Sequence, residues 1–152
     1  MATLNFTLTT PDGKLFQDEV DQVTLATSEG QITILPNHIP LVSVLVPGEA
    51  IIKKKNREVP LVIYGGFVEV RPKNTVVVLG DAGERAEQID LEISELARQK
   101  AQQLKREKFN TADYEDAALA LEREIARVHV ARKHRARKYN TLEQEPEEHR
   151  VV

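Results

Sequence analysis

Along residues 1–83 apolar side chains recur at every second position. Leu4, Phe6 and Leu8 alternate with Asn5, Thr7 and Thr9, and Pro11, Asp12 and Gly13 then supply turn residues. Val23 and Leu25 repeat the alternation, as do Ile32 and Ile34. The stretch IIKKKNREVPLVIYGGF reads as two strands joined by a charged hairpin at Lys53 to Glu58. Val68 and Val70 pair through the Arg71 to Asn74 turn with Val76 and Val78. Successive side chains of a strand point to opposite faces, so this spacing gives each strand one apolar face. Short strands at roughly 8–12 residue spacing predict an antiparallel β-sandwich or barrel.

Beyond residue 84 the period changes to 3.6. In NTADYEDAALALEREIARVHV, Tyr114, Ala118, Leu121, Ile125 and Val128 fall on one stripe of a helix. An earlier segment, from about Asp90 to Lys108, carries Ile93, Ala97, Ala101 and Leu104 on one face, with Asp90 placed to cap its start. Asn110 or Thr111 offers an N-cap for the second helix. A short connection between helices predicts an antiparallel hairpin. Both stripes are alanine-rich and bury little area, so at about 25 cal/mol per Å² the hairpin is expected to dock weakly and to be free to rearrange. The fold expected is therefore α+β in two segregated parts: a sandwich over 1–84, a helical hairpin over 85–138, and an acidic tail over 139–152 whose composition predicts disorder.

The stretch GQITILPNHIPLVSVLVPG, Gly30 to Gly48, interrupts the strand pattern with three prolines. Pro36 and Asn37 suit the central positions of a type II turn, because proline presets φ and asparagine tolerates the positive φ that follows. Pro40 and Pro47 bracket LVSVLV, which predicts one short buried strand. His38 stands at the loop tip.

Composition narrows the function. The chain has no cysteine, which rules out a disulfide framework, a thiolate metal site and a thiol nucleophile. Its start lacks a secretory pattern, and no apolar run approaches the roughly 20 residues of a membrane span, so a cytoplasmic-type protein is expected. The net charge of −3 is small, but residues 1–84 hold 7 Lys/Arg and 10 Asp/Glu while 85–152 hold 14 of each. Phosphate-loop, dinucleotide and zinc-protease motifs are absent. His129 and His134, five apart, point about 140° from one another on a helix and share a metal poorly. No catalytic residue and no metal site is expected.

At this point SEGQITILPNHIPLVSVLVPGEA, followed by GGFVEV, NTVVVLGDAGERAEQID and ALALEREIARV, resembles the epsilon subunit of the proton-translocating rotary ATP synthase, in order over residues 1 to about 138. The resemblance implies a non-catalytic central-stalk subunit. Its sandwich would bind the gamma subunit of the rotor shaft and the c-subunit ring, and its mobile hairpin would reach the alpha and beta subunits of the catalytic head to inhibit ATP hydrolysis. It would sit peripherally on the cytoplasmic face of a bacterial plasma membrane or the stromal face of a thylakoid. By position, Glu29, Gln31 and His38 would face the c-ring, although Gln31 replaces a residue that is acidic in some relatives. The family's loop has glycine where Thr33 and Asn37 stand; Thr33 is read as ordinary strand.

The segment Arg123 to Lys138 carries seven basic residues and one acid. A run of this kind is often a solvated helical face. The resemblance assigns Arg123, Arg127, Arg132, Lys133 and Arg135 to an acidic segment of the beta subunit, with clustered positive charge as the attraction. So one-sided a helix needs a compensating anion, external or from Glu143, Glu145, Glu147 and Glu148 of the tail. Some members of the family bind ATP as a regulatory ligand through an Ile/Leu-Asp-x-x-Arg-Ala motif. Ile89 and Asp90 match it and Arg123 and Arg127 match later basic positions, but Ile93 stands where the arginine belongs, so nucleotide binding is expected to be weak or absent and no cofactor is expected. The alternative reading is a nucleic-acid-binding protein using the helix 123–138 against phosphates.

Overall fold

A computed structural model describes residues 2–144, with side chains described through 138. Eight strands come first: β1 (Leu4–Thr10), β2 (Gly13–Val20), β3 (Gln22–Thr27), β4 (Gly30–Ile34), β5 (Leu41–Lys54), β6 (Arg57–Arg71), β7 (Thr75–Gly80) and β8 (Gly83–Arg85). A 3-10 turn at Ala86–Gln88 leads to α1 (Leu91–Glu107) and α2 (Tyr114–Gln144). The strands run in the order β2-β1-β7-β6-β5-β3-β4, with β8 also paired to β6. Every pairing is antiparallel except β1 with β7, which is parallel in the register Phe6↔Val76 and Leu8↔Val78.

The alternating residues form the core as their spacing demands. Leu4, Phe6, Leu8, Val23, Leu25, Ile34, Val68, Val70, Val76 and Val78 are all buried in one cluster between the faces of the sheet. The charged hairpin is also where the spacing puts it: β5 and β6 meet at Lys54↔Arg57.

The long β5–β6 pair is the spine. Its first part, Leu41–Leu45 against Gly66–Val70, carries β7, β1 and β2, and its second part carries β3, β4 and β8. Between the two parts the side that faces the core switches parity, from Leu45 to Ala50 on β5 and from Ile63 to Val68 on β6. Pro47 and Gly48 sit at the switch on one strand, Gly65 and Gly66 on the other. Gly66 has φ +123, and a Cβ there would lie 2.1 Å from the Leu79 carbonyl oxygen, so only glycine allows β7 this close.

Pro47 does not end its strand, contrary to the expectation of a short segment bounded by two prolines. β5 continues for 14 residues because Pro47 falls where the β3 ladder is interrupted, between Thr24↔Ile51 and Thr27↔Leu45, so its missing N–H costs no bond to β3. LVSVLV is also only half buried: Leu45 enters the core, but Val42, Val44 and Val46 are exposed.

Helix α1 starts at Asp90, whose carboxylate accepts from the Ile93 N–H at 3.1 Å. α1 packs on α2, and α2 packs on β5 and β6. The predicted stripes hold in part: Ala101 and Val128 are buried as expected, but other members are not. Ile93 is 60% and Leu104 41% exposed, while Ser94 and Ala101 are buried, because the Ser94 hydroxyl is satisfied by the Asp90 carbonyl at 2.7 Å and small residues let the helices approach. On α2, Ile125 is turned out to solvent, and Ala126, Val128, Val130 and Ala131 are turned in. Helix α2 runs through Gln144, past the boundary expected at 138; residues 145–152 of the expected acidic tail, with Glu145, Glu147 and Glu148, lie outside the described residues.

Candidate partner-binding surfaces

Two outer surfaces stand out, one apolar and one charged. Every exposed large apolar side chain of the sandwich, among the described residues, belongs to a single set: Leu35, Ile39, Val42, Val44, Val46, Phe67 and Leu79. The ladder register explains why they gather. Val44 is the direct partner of Phe67, and Phe67 of Leu79, so three adjacent strands present one apolar row. Val42 and Val46 extend it along β5. A solvated face of an antiparallel sheet normally alternates to polar residues. This one does not, and such a face marks an interaction site.

The residues predicted to face the c-ring fall in two places, the β3–β4 hairpin, with Gln31 in β4 and not in a loop, and the loop before β5. Glu29 occupies the β3–β4 turn, which is tied to the sheet where the Ser28 N–H donates to the Val44 carbonyl at 3.0 Å. Glu29 and Gln31 are exposed, and Thr33 is ordinary strand, paired with Thr24 through their hydroxyls at 3.1 Å. The turn at Pro36 and Asn37 forms as expected: Asn37 has φ +67 and the His38 N–H donates to the Leu35 carbonyl at 3.2 Å. The Asn37 N–H also donates to Asn74 Oδ1 at 2.6 Å, pinning the loop to the β6–β7 turn. His38 is half-buried, its Nδ1 bonded to the Ile39 carbonyl at 2.6 Å. The structure thus ties the Glu29 turn to β5 and the His38 loop to the β6–β7 turn.

The charged surface is where α2 meets the sheet. Arg127 donates to both oxygens of Glu84, at 2.8 and 3.1 Å, and the Tyr64 hydroxyl donates to the same carboxylate at 2.6 Å. Burial, reinforced by the bond to Glu84, drives the Tyr64 phenol far above its ordinary range. Burial is the largest single influence on Arg127 and works against its charge, but the Glu84 bond together with the attraction of Glu84, Tyr64 and Glu124 holds the guanidinium above its usual value. Lys133 pairs with Glu49 at 2.7 Å, Arg137 with Glu58 at 3.3 Å, and Arg132 with Glu95 of α1. Arg135 is exposed. The anion that the basic helix needs is therefore supplied by Glu49, Glu58 and Glu84 of the sandwich and Glu95 of α1. Sequence spacing does not reveal those acids, because they come from four separate elements. The nucleic-acid alternative gains no support from a helix in which Arg127, Arg132, Lys133 and Arg137 are paired in this way.

The nucleotide positions are divided. Arg123, Arg127, Glu84 and Tyr64 line one open groove, whereas Ile89 packs in the small apolar cluster under α2 and Asp90 caps α1. Ile93 faces solvent where the motif has arginine, and Arg127 is held by Glu84.

Comparison with known proteins agrees with this architecture. The family model described as "ATP synthase, Delta/Epsilon chain, beta-sandwich domain" matches residues 3–86. The ATP synthase epsilon chain of Halalkalibacterium halodurans is 40% identical over 132 residues, covering 86% of this chain and 98% of that one. That of Herpetosiphon aurantiacus is 41% identical over 130 residues, covering 86% and 95%. Among solved structures, a chain of the Euglena gracilis mitochondrial ATP synthase, OSCP/F1/c-ring, superposes with TM-score 0.72 at 27% identity, covering 83% of this chain and 79% of that one. A chain of the Tetrahymena thermophila mitochondrial ATP synthase central stalk and c-ring shares the fold, with TM-score 0.51 at 22% identity over 58% and 70%. Matched over its sandwich by the family model and over most of its length by these relatives, the chain belongs to the ATP synthase delta/epsilon family.

Proposed function

We propose that this chain is a non-catalytic rotor subunit of an ATP synthase, in which the sandwich clamps to the shaft and the hairpin regulates hydrolysis. The observation that carries the reading is the apolar row Val44, Phe67 and Leu79 on an otherwise well-packed sandwich. A surface of this kind suits a permanent protein partner, here the gamma subunit. The β3–β4 turn of Glu29, Gln31 at the start of β4, and the loop of His38 suit contact with the c-subunit ring. The cations of α2, once released, suit an acidic surface on the beta and alpha subunits of the catalytic head. Among the described residues no helix is long and apolar enough to cross a membrane. Membrane association on this reading is peripheral and comes through the complex, at the cytoplasmic face of a bacterial membrane or the stromal face of a thylakoid. No resident cofactor is part of the reading, and ATP as a regulatory ligand is disfavoured by Ile93.

The test is co-purification with a gamma subunit. Phe67→Ser with Leu79→Ser is expected to weaken that association at least tenfold while thermal unfolding stays close to that of the unaltered chain, since both side chains are exposed. Undiminished binding by the double variant would overturn the assignment of the shaft to this face.

A further inference from the structure

The sheet register builds a second row on the outer surface, and its composition is different. Glu49 of β5 is the direct partner of Val62 of β6, and Val62 is the direct partner of Glu84 of β8. Directly paired residues share a face, so two carboxylates flank one valine. On α2, Arg127, Val130 and Lys133 follow one another at intervals of three and lie on one side of the helix. Arg127 meets Glu84, Val130 packs on Val62, and Lys133 meets Glu49. The dimensions agree. Two strand spacings of about 4.8 Å span about 10 Å, and six residues of helix at 1.5 Å rise span about 9 Å. Helix α2 therefore crosses the strands with cation, valine and cation laid over carboxylate, valine and carboxylate.

We propose that this row is an ionic latch, which sets the balance between a docked and a released hairpin. The apolar part of the contact is small: Val62, Ala86 and Val130, with Tyr64, Ile89 and Ala126 around them, separate from the main core, which contains no helix residue. Charge pairing therefore decides much of the docking. Glu49 is only 10% exposed, so loss of Lys133 leaves a nearly buried carboxylate with only the more distant Arg137 and costs more than the pair itself contributes. Arg137 stands near the same carboxylate at 3.9 Å and ties the next turn of α2 to Glu58. Release frees the very cations that the reading above assigns to the catalytic head, and to that extent the regulatory meaning of the latch rests on that reading. The latch itself does not.

Amide hydrogen exchange on the isolated full-length chain tests it, with β6 as the internal control for folding. Lys133→Glu and Glu49→Lys, each alone, are expected to speed exchange over residues 114–138 about tenfold or more while β6 amides keep their protection. The reciprocal double variant is expected to recover most of that protection. Raising salt from about 0.1 to 1 M is expected to speed α2 exchange in the unaltered chain, because the Debye length shrinks from about 10 to 3 Å. Unchanged α2 exchange in the single variants, or no recovery in the reciprocal pair, overturns the latch. Hydrolysis by the catalytic head is read separately: a released hairpin that leaves hydrolysis unaffected would overturn the regulatory reading while the exchange result for the latch stands.

Discussion

The sandwich buries Phe6, Leu8, Leu25, Ile34 and Leu61 in one continuous core, whereas the hairpin buries Ser94, Ala101, Val128, Val130 and Ala131. The first set consists of large side chains supplied by strands distant in sequence. The second set is mostly small. Between α1 and α2 there is an open groove of about 500 Å³ lined by Ala97, Ala101, Leu104 and Ala120, among others. A core of large side chains gives a module that unfolds as a unit, while a contact of methyl groups and ion pairs can open at low free energy. Two modules in one chain are thus held by different forces, and conditions that leave one intact can release the other. Salt is the clearest such condition, since it weakens the pairs of Glu49 and Glu84 and leaves the apolar core in place.

Substitutions sharpen that contrast. Phe6→Ala, at a side chain with 1% exposure in the main core, is expected to cost about 3–5 kcal/mol in denaturant unfolding and to lower the sandwich transition directly. A loss below about 1 kcal/mol would mean that the core collapses around the gap, and the contrast with the hairpin would weaken. Val130→Ala removes about two methylene equivalents, worth about 1–2 kcal/mol, from the docking contact alone. Protection of α2 is expected to fall while the sandwich midpoint stays in place. If instead both regions lose stability together, they form one cooperative unit. Asp90→Ala removes the cap of α1 and is expected to cost about 1 kcal/mol, seen as faster exchange of the first-turn amides and not elsewhere.

The smallest effect concerns the Tyr64 phenol, which reports the docked state optically. Its folded value is raised above the ordinary 10.0, so the stability it contributes is fully present below about pH 10 and is lost as pH rises through the folded value. In an absorbance titration Tyr64 is expected to ionise only when alkali undocks or unfolds the protein. Ionisation near pH 10 with α2 still protected would show that the Glu84 bond does not persist in solution.

Much of the sandwich was legible because one periodicity governs it. Each strand has a single core face, and an alternation of two identifies it. The Pro36 and Asn37 turn and the Asp90 cap were legible for the same reason, since both depend on a few neighbouring residues. The helices were less so. α2 has α1 on one side and the sheet on the other, so it needs two buried stripes, and a search for one stripe selects Ile125, which is exposed. On α1 the stripe Ile93, Ala97, Ala101 and Leu104 identifies the buried Ala101, but close approach favours Ser94 over the bulkier Ile93 and Leu104, which are exposed. The run LVSVLV is only half core: Leu45 is buried and the valines are not. Its apolar residues predict a strand covered on both faces, but Val42, Val44 and Val46 are exposed, and the proposed function assigns their cover to a partner.

By itself the sequence determined where the architecture changes, which strand faces form the core, where the chain turns, and, through its ordered motifs, the family. The tertiary structure alone decided which helix faces are buried, that Val44, Phe67 and Leu79 stand in one row, and that Glu49, Val62 and Glu84 stand in another beneath Arg127, Val130 and Lys133. The reason is geometric. Local pattern records which side of an element is apolar, but a row across strands exists only once register is set, and register is a relation between segments far apart in the chain.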